Sequence, residues 1–227
     1  MGMTGKISLG VIVGAVVIGA MSANSGDDSS ASGDAKADSS ASAGREAAEE
    51  HGRGAVKVAG KGGGFTGDGD FLVGTDIKPG TYRSTGNTTG MCYWERAKDA
   101  SGEMDSLLAN DNVSGTGYVT VTANDKIFRS SGCSDWEAVA PKEKASPATE
   151  MAGDGGMFAV GVDIAPGTYR STGNTDDMCY WERAKDAGHT IDSITANNNV
   201  TGSAVVTISA SDAYFKTSGC QDWKRTG

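Results

Sequence analysis

Charged side chains recur at matching positions in two stretches of the chain and are the first candidates for chemistry. Two carboxylates a few ångströms apart can perform acid–base hydrolysis, so a hydrolase with an acidic site is one hypothesis. Charges on an exposed sheet face commonly form cross-strand ion pairs instead, and we favour that interpretation. The recurring pairs are Asp76 and Asp163, Arg83 and Arg170, Glu95 and Glu182, Arg96 and Arg183, Lys98 and Lys185, Asp99 and Asp186, Asp105 and Asp192, Asp125 and Asp212, and Asp135 and Asp222.

Other catalytic patterns are missing from the sequence. His189 occurs in one stretch only, because Gly102 stands at the matching position. The chain contains no G-x-S-x-G segment, glycine-rich phosphate loop or H-E-x-x-H segment. The triplets 110–112 and 197–199 offer oxygen ligands but lack the spaced carboxylates of a calcium loop, which favours asparagine-rich turns. We therefore predict no enzymatic activity, no metal and no cofactor.

The four cysteines lie two in each stretch, and Cys92 and Cys133 have the same separation as Cys179 and Cys220. Of the three possible connectivities, pairing within each stretch is the one that lets each copy fold alone, so we predict the disulfides Cys92–Cys133 and Cys179–Cys220. Zinc would need three or four ligands from each stretch, and redox exchange usually uses a C-x-x-C pair. A structural disulfide is therefore favoured over both alternatives.

The two stretches are copies of one unit. Phe71–Trp136 aligns with Phe158–Trp223 without a gap, and both contain PGTYRSTGNT and MCYWERAKDA and end in GC-x-DW. Only 37% of the residues are hydrophobic and 34 are glycines, which is too little apolar material for one large core. We predict two small domains, residues 64–137 and 156–227, joined by a proline-containing linker over residues 138–155.

Short β-prone runs separated by Gly, Asn, Asp and Pro predict an all-β fold. Residues 104–113 are ambiguous, and we assign a strand because the matching Ser193–Ala196 favours one. Each domain is expected to be a compact antiparallel sandwich or barrel. The predicted strands are Phe71–Val73, Thr81–Ser84, Met91–Arg96, Tyr118–Val121 and Ile127–Ser130, with Phe158–Val160, Thr168–Ser171, Met178–Arg183, Ala204–Ile208 and Tyr214–Thr217 in the second copy.

Strand alternation divides the aromatic side chains between core and surface. In an extended strand Cys92 and Trp94 share one face, so Trp94 should pack beside the disulfide while Tyr93 turns outward. Trp136 lies three residues after Cys133 and is expected on the opposite face, either partly exposed or capping the sheet edge. Exposed Tyr and Trp could stack on glycans or bind protein. The candidate ligand-binding residues are therefore Tyr93, Trp136, Tyr180 and Trp223.

The amino terminus carries an export pattern. Lys6 precedes residues 7–23, which contain no charged side chain, so residues 1–23 are a signal peptide or a signal anchor. No cysteine follows this stretch, which excludes a lipid-modified lipoprotein. Residues 24–63 are rich in Ser, Ala, Gly, Asp and Glu and are expected to be a disordered tether. Both interpretations place the repeats outside the cytoplasm.

The net charge of −9 argues against nucleic-acid partners and against an anionic membrane surface, since both need a basic face. Membrane contact is expected only through the amino-terminal segment. We favour a non-enzymatic extracellular or cell-surface interaction module whose duplication raises avidity for a cell-envelope glycan or protein. The alternative is a secreted hydrolase with an acidic site.

The motifs D-I-x-P-G-T-Y-R, C-Y-W-E-R, N-V-[ST]-G and G-C-x-D-W resemble a small exported domain of actinobacteria such as streptomycetes. That domain is found in secreted proteins, lipoproteins and extracellular parts of membrane proteins. The resemblance covers both repeats and none of the tether. It implies the exported β fold and its compartment, and it carries over no catalytic residues. The missing lipid-attachment cysteine departs from the lipoprotein members.

Overall fold

The computed structural model describes residues 63–140 and 146–227. The predicted leader, residues 1–23, and the tether up to residue 62 lie outside the described residues. Within the described ranges, no helix has the length and apolar character needed to cross a membrane.

The described chain is built from strands, which confirms the predicted all-β class. The first repeat contains β1 (Gly69–Leu72), β2 (Gly80–Ala97), β3 (Leu107–Val121), β4 (Ile127–Ser131) and β5 (Trp136–Ala138). The second contains β6 (Glu150–Met151), β7 (Gly156–Ala159), β8 (Gly167–Ala184), β9 (Ile194–Ile208), β10 (Tyr214–Ser218) and β11 (Trp223–Arg225). Two short 3-10 turns, Met104–Ser106 and Ile191–Ser193, precede β3 and β9.

The framework of each repeat is a long antiparallel hairpin, β2 with β3 and β8 with β9. The other edge of β2 is shared, because its first half pairs with β5 and its second half with β4. β1 adds to β4, and Phe65 bridges Trp136, so the strands curl around a core. The predicted strands 81–84 and 91–96 are therefore one strand, with irregular register between Ser84 and Cys92.

Each repeat encloses its own aromatic core beside a disulfide. The predicted pairs Cys92–Cys133 and Cys179–Cys220 are both formed. Phe128 lies at the centre of the first core, with ring centroids 6.0 Å from Trp94 and 5.6 Å from Trp136. As predicted, Trp94 is fully buried and Tyr93 lies on the outer side. The disulfide therefore fastens β2 to the segment that leads into β5.

The prediction that Trp136 and Trp223 are partly exposed is wrong, because both side chains have 0% exposure. The expectation of partial exposure holds only if the chain from Cys133 to Trp136 is continuously extended. Instead residues 133–135 lie outside any strand, and regular pairing resumes only at Trp136. The indole N–H of Trp136 then donates to Ser130 Oγ inside the core, over 2.9 Å. Trp223 donates to Thr217 in the same way.

The asparagine triplets also differ from expectation. Their composition favours turns, yet residues 110–112 lie inside β3 and residues 197–199 inside β9. Cross-strand pairing overrides the local turn preference, since Asn110 pairs with Glu95 and Asn112 with Tyr93. The strand predicted over residues 104–113 begins only at Leu107, after the 3-10 turn.

The two repeats meet through the free edge of β3, within one compact unit. A parallel bridge joins Thr116 to Gly156 of β7, and the Thr116 N–H donates to Gly155 O over 2.9 Å. Farther along, the Thr120 N–H donates to Ala187 O over 2.8 Å. Gly156 has φ +81°, and a side-chain carbon there would come within 2.3 Å of the Thr116 carbonyl oxygen, so this contact requires glycine.

Of the segment assigned to the linker, residues 138–155, the described part from Ala148 onward pairs within the second repeat. β6 pairs with β11, and Ala148 bridges Ile164. The connection between the repeats is therefore shorter than the composition of the segment indicated.

Candidate binding site

A cleft of about 330 Å³ opens between the two repeats, and we call it the inter-repeat cleft. Its volume is at the lower end of the range for small-molecule sites, about 300–1,000 Å³. The lining residues are Arg83, Tyr118 and residues 137–140 on one side, and Ala159, Val160, Val162, Ala213 and Tyr214 on the other. Neither repeat contains this cleft alone.

Tyr118 of β3 closes one side of the cleft and ties the repeats together. Its hydroxyl donates to Asp163 Oδ2 over 2.7 Å, and the same carboxylate oxygen accepts the backbone N–H of Ala159 over 2.8 Å. Burial, followed by the neighbouring Asp163 carboxylate, raises the pKa of Tyr118. The phenol therefore stays protonated and acts as a donor to Asp163.

Tyr214 of β10 lies against Tyr118, with ring centroids 5.1 Å apart. Its hydroxyl has no hydrogen-bond partner among residues 63–140 and 146–227. Burial raises the pKa of Tyr214, and the carboxylates of Asp163 and Asp186 raise it further. The Tyr214 hydroxyl is therefore protonated and able to donate a hydrogen bond.

Arg83 provides the positive charge of the cleft. It stands opposite Tyr118 in the β2–β3 register and forms an ion pair with Glu137, Nη2 to Oε2, at 3.6 Å. The Arg83 side chain is 29% exposed, whereas the Glu137 side chain is 73% exposed. An ion pair with one partner so fully solvated contributes little stability.

A second set of polar contacts joins the repeats through residues that, Tyr118 apart, do not line the cleft. Lys216 Nζ donates to Asp111 Oδ1 over 2.6 Å. His189 places Nε2 2.7 Å from Tyr118 O and packs its ring edge against Trp94, with centroids 4.8 Å apart. Burial lowers the pKa of His189 although Asp111 opposes this, so the ring is neutral and Nε2–H donates to the carbonyl.

The residues that join the repeats differ between the copies. In place of Tyr118, the second repeat has Val205, which is 61% exposed. Trp181, the counterpart of the fully buried Trp94, is only partly buried, whereas His189 packs against Trp94. The other unequal pairs are Asp111 and Asn198, Gly102 and His189, Ile127 and Tyr214, and Asp70 and Met157. Sequence reasoning missed this site because it concentrated on what the copies share, although their differences mark it.

The sequence-predicted aromatic residues do not come together. Trp136 and Trp223 belong to separate cores. Tyr93 and Tyr180 lie half-buried on the outer side of their strands, where each hydroxyl donates to a glutamate, Glu95 over 2.8 Å and Glu182 over 2.6 Å. Of the predicted aromatic surface, only these tyrosines remain accessible.

Some of the shared charged residues form ion pairs, although not all of these pairs lie on an exposed sheet face. Arg96 pairs with Asp125 at 3.3 Å, and the corresponding Arg183 pairs with Asp212 at 2.7 Å. Arg129 Nη1 lies 2.5 Å from the Glu95 carboxylate. Across the described residues, no group of three or more His, Cys, Asp or Glu is placed to hold a metal ion.

Comparison with known proteins places both repeats in one family. The family model described as the Rv1352-like extracellular domain matches residues 63–137 and again residues 149–224. Uncharacterized proteins of Mycobacterium bovis and of two Mycobacterium tuberculosis strains are each 31% identical over 99 residues, 38% of this chain and 80% of each relative. No solved structure matches. A relation to extracellular actinobacterial domains is thus confirmed, while the streptomycete-like motif pattern stays a prediction.

Proposed function

Because the chain belongs to the Rv1352-like extracellular domain family, in two tandem copies, we propose that the repeats form a non-enzymatic binding module. The ligand is a small molecule of the cell envelope or its surroundings, and it is held in the inter-repeat cleft. The cleft itself is the observation that supports this proposal.

The lining of the cleft favours binding. Seven of the eleven lining residues are alanine or valine, and Arg83, Glu137 and two tyrosines add polar groups, a mixture that small-molecule sites commonly have. The residues that line it are also largely specific to their own repeat. Val162 stands where the first repeat has Thr75, and Ala213 stands where it has Lys126. Apolar residues therefore occur on the side of the second repeat that faces the cleft.

The chemistry of the cleft does not favour hydrolysis. Acid–base hydrolysis needs two carboxylates that converge on one bond. Glu137 is the one carboxylate among the cleft-lining residues, and it is paired with Arg83. Asp163, behind the lining, already accepts hydrogen bonds from Tyr118 and Ala159. Binding without reaction is thus the function that this geometry supports best.

The test is to fill the cleft. Val162→Trp puts an indole into the space, whereas Thr75→Trp changes the equivalent loop of the first repeat, which does not line the cleft. The full chain and both variants are incubated with a small-molecule extract of cell envelopes and analysed by native mass spectrometry. We expect a bound mass on the unaltered chain and on Thr75→Trp, and its loss on Val162→Trp.

Thermal unfolding of all three proteins shows whether Val162→Trp keeps the fold. A bound mass that is equally abundant on Val162→Trp would place the ligand elsewhere. Absence of any bound mass on the unaltered chain would contradict the binding function.

A further inference from the structure

The edge of β3 that contacts the second repeat has an uncovered counterpart in β9. Three residues of β3, Thr116, Tyr118 and Thr120, turn backbone groups away from β2, and residues of the second repeat bond to all three. The counterparts of these residues in β9 are Ser203, Val205 and Thr207. Because β9 pairs with β8 alone, the same backbone groups have no partner among the residues that the structure describes.

This edge of β9 is regular and uncharged. Ser203–Ile208 pairs with β8 residue by residue, and in such an antiparallel ladder every second residue turns its N–H and C=O to the far side. None of the residues of β9, Ile194–Ile208, is charged, and Val205 is 61% exposed. Proteins usually protect an unpaired edge with charged side chains, proline or a bulge. Since this stretch has none of these, it is suited to pair with another strand.

The first repeat of another molecule does not reproduce the contact that β3 makes. That contact uses Gly155 and His189. Residues 67–70, GDGD, correspond to residues 153–157, GDGGM, so Gly155 is an additional residue of the second repeat. Gly102 stands in place of His189. The two ends of the protein are therefore not complementary, and a head-to-tail chain of molecules is not favoured.

The strand that matches this edge is β9 itself. In the part of the chain that the structure describes, β2 and β8 are paired along both edges and β3 contacts the second repeat, so β9 is the one long strand with an unpaired edge. Two identical antiparallel strands are related by a two-fold axis, the commonest symmetry of protein dimers.

The two-fold axis fixes which residues oppose one another. With Val205 on the axis, Ser203 lies opposite Thr207 of the second molecule, and each opposing pair exchanges two backbone hydrogen bonds. No like charges face each other across the axis, and the two exposed Val205 side chains contact each other. The edge is therefore complementary to itself.

We propose that the Ser203–Thr207 edge of β9 pairs antiparallel with the same edge of a second copy of this chain. The result is a two-fold symmetric dimer in which a sheet continues from one molecule into the other. None of these residues lines the inter-repeat cleft, so the proposal does not depend on the proposed binding function.

Val205→Cys tests the two-fold arrangement directly. Opposing residues that exchange both hydrogen bonds have Cα atoms about 5.5 Å apart, which suits a disulfide. In the exported full chain, Val205→Cys should therefore form a covalent dimer on a non-reducing gel, and a reductant should return it to the monomer. The control is Met104→Cys, at an 81% exposed position in the 3-10 turn before β3, which should remain mainly monomeric. Absence of the crosslink, or equal crosslinking of both variants, would contradict pairing at Val205.

Sedimentation velocity provides a second measurement, with variants that keep the native set of cysteines. The unaltered chain should sediment as a dimer. Val205→Lys sets two ammonium groups opposite each other and should raise the dissociation constant of the dimer about tenfold. Val205→Thr keeps a β-branched side chain without a charge and should retain the dimer.

Unfolding curves measured on each variant separate loss of pairing from loss of the fold. A monomeric unaltered chain would overturn the proposal and leave this edge open to an extended segment of another protein. A dimer whose affinity is unchanged in a folded Val205→Lys variant would place the interface elsewhere and would also overturn it.

Discussion

The hydroxyl of Tyr118 in the first repeat donates a 2.7 Å hydrogen bond to Asp163 in the second. Asp163 and its counterpart Asp76 perform the same local task, since each accepts a backbone N–H four residues earlier in the chain, from Ala159 and Leu72 respectively. Of the two carboxylates, only that of Asp163 also accepts a hydrogen bond from a tyrosine hydroxyl. The duplication thus provides an internal control for the contact between the repeats.

Asp163→Asn should destabilise the protein more than Asp76→Asn. Both variants weaken a local turn, but only the first weakens a charge-assisted bond between the repeats, for which we expect about 2 kcal/mol of additional loss. Urea unfolding of the two variants measures the difference. Equal losses would show that the Tyr118 bond contributes nothing to stability.

Asp111→Asn tests the second contact between the repeats. The Asp111 and Lys216 side chains are 15% and 16% exposed, so removing the carboxylate leaves a largely buried ammonium without its partner. We expect a loss of about 2 kcal/mol in the free energy of unfolding. The control is Asn198→Asp, which introduces the carboxylate at the exposed equivalent site in β9 and should change stability by less than about 0.5 kcal/mol. The prediction fails if the control costs as much as Asp111→Asn.

Stability should fall as the pH is lowered from 7 to 5, because of His189. Burial lowers the pKa of His189 in the folded protein, while the unfolded chain titrates near the ordinary value. The unfolded state therefore binds more protons in this interval, so acidification favours unfolding and the stabilisation is complete only above about pH 7. Protonation of carboxylates changes the stability mainly below about pH 5.

Melting temperatures measured between pH 5 and pH 8 test this dependence. His189→Gln should flatten the curve between pH 7 and pH 5, whereas His51→Gln, which alters the other histidine of the chain, should not. A curve with the same slope in His189→Gln would assign the pH dependence to other groups.

The two disulfides should stabilise their respective repeats by similar free energies. The two loops both span 41 residues, which corresponds to about 4 kcal/mol in the chain-entropy estimate. Replacing Cys92 and Cys133 by alanine, or Cys179 and Cys220, should each lower the free energy of unfolding by roughly that amount. Mass spectrometry of the unaltered exported protein should show both pairs oxidised within their repeats. A crosslink between repeats would contradict the structure.

The sequence permits good prediction of features that both copies share. Equal cysteine spacing predicts the disulfides because each repeat has only one internal pair to form. Alternation along a continuous strand predicts the burial of Trp94, since Cys92 provides a nearby reference for the core side. These inferences succeed because they depend on contacts within a few residues or on a simple count.

Prediction fails where the path of the backbone changes. The orientation of Trp136 depends on the irregular backbone of residues 133–135 and on a new pairing with β2, neither of which a residue count contains. The inter-repeat cleft depends on long-range contacts of Tyr118 and His189. A comparison of the copies position by position would have singled out both residues, because a buried contact between repeats selects different side chains on its two sides.

The last prediction concerns the accessible part of the aromatic-surface hypothesis. Tyr93 and Tyr180 keep part of their rings in solvent, and their hydroxyl groups are bound to Glu95 and Glu182. If these rings anchor an envelope glycan or protein, Tyr93→Ala with Tyr180→Ala should weaken envelope binding by at least tenfold, since an aromatic anchor typically contributes about 2 kcal/mol.

The control for this prediction is the cleft variant Val162→Trp, which leaves both tyrosines unchanged. Binding to purified envelopes is measured beside thermal unfolding for both proteins. Loss of binding in the tyrosine double variant with an unchanged melting temperature would establish a surface site separate from the cleft. Unchanged binding with a greatly lowered melting temperature would assign Tyr93 and Tyr180 to the support of the fold, because their rings and their hydrogen bonds to Glu95 and Glu182 would then serve only to stabilise the outer face of the hairpins.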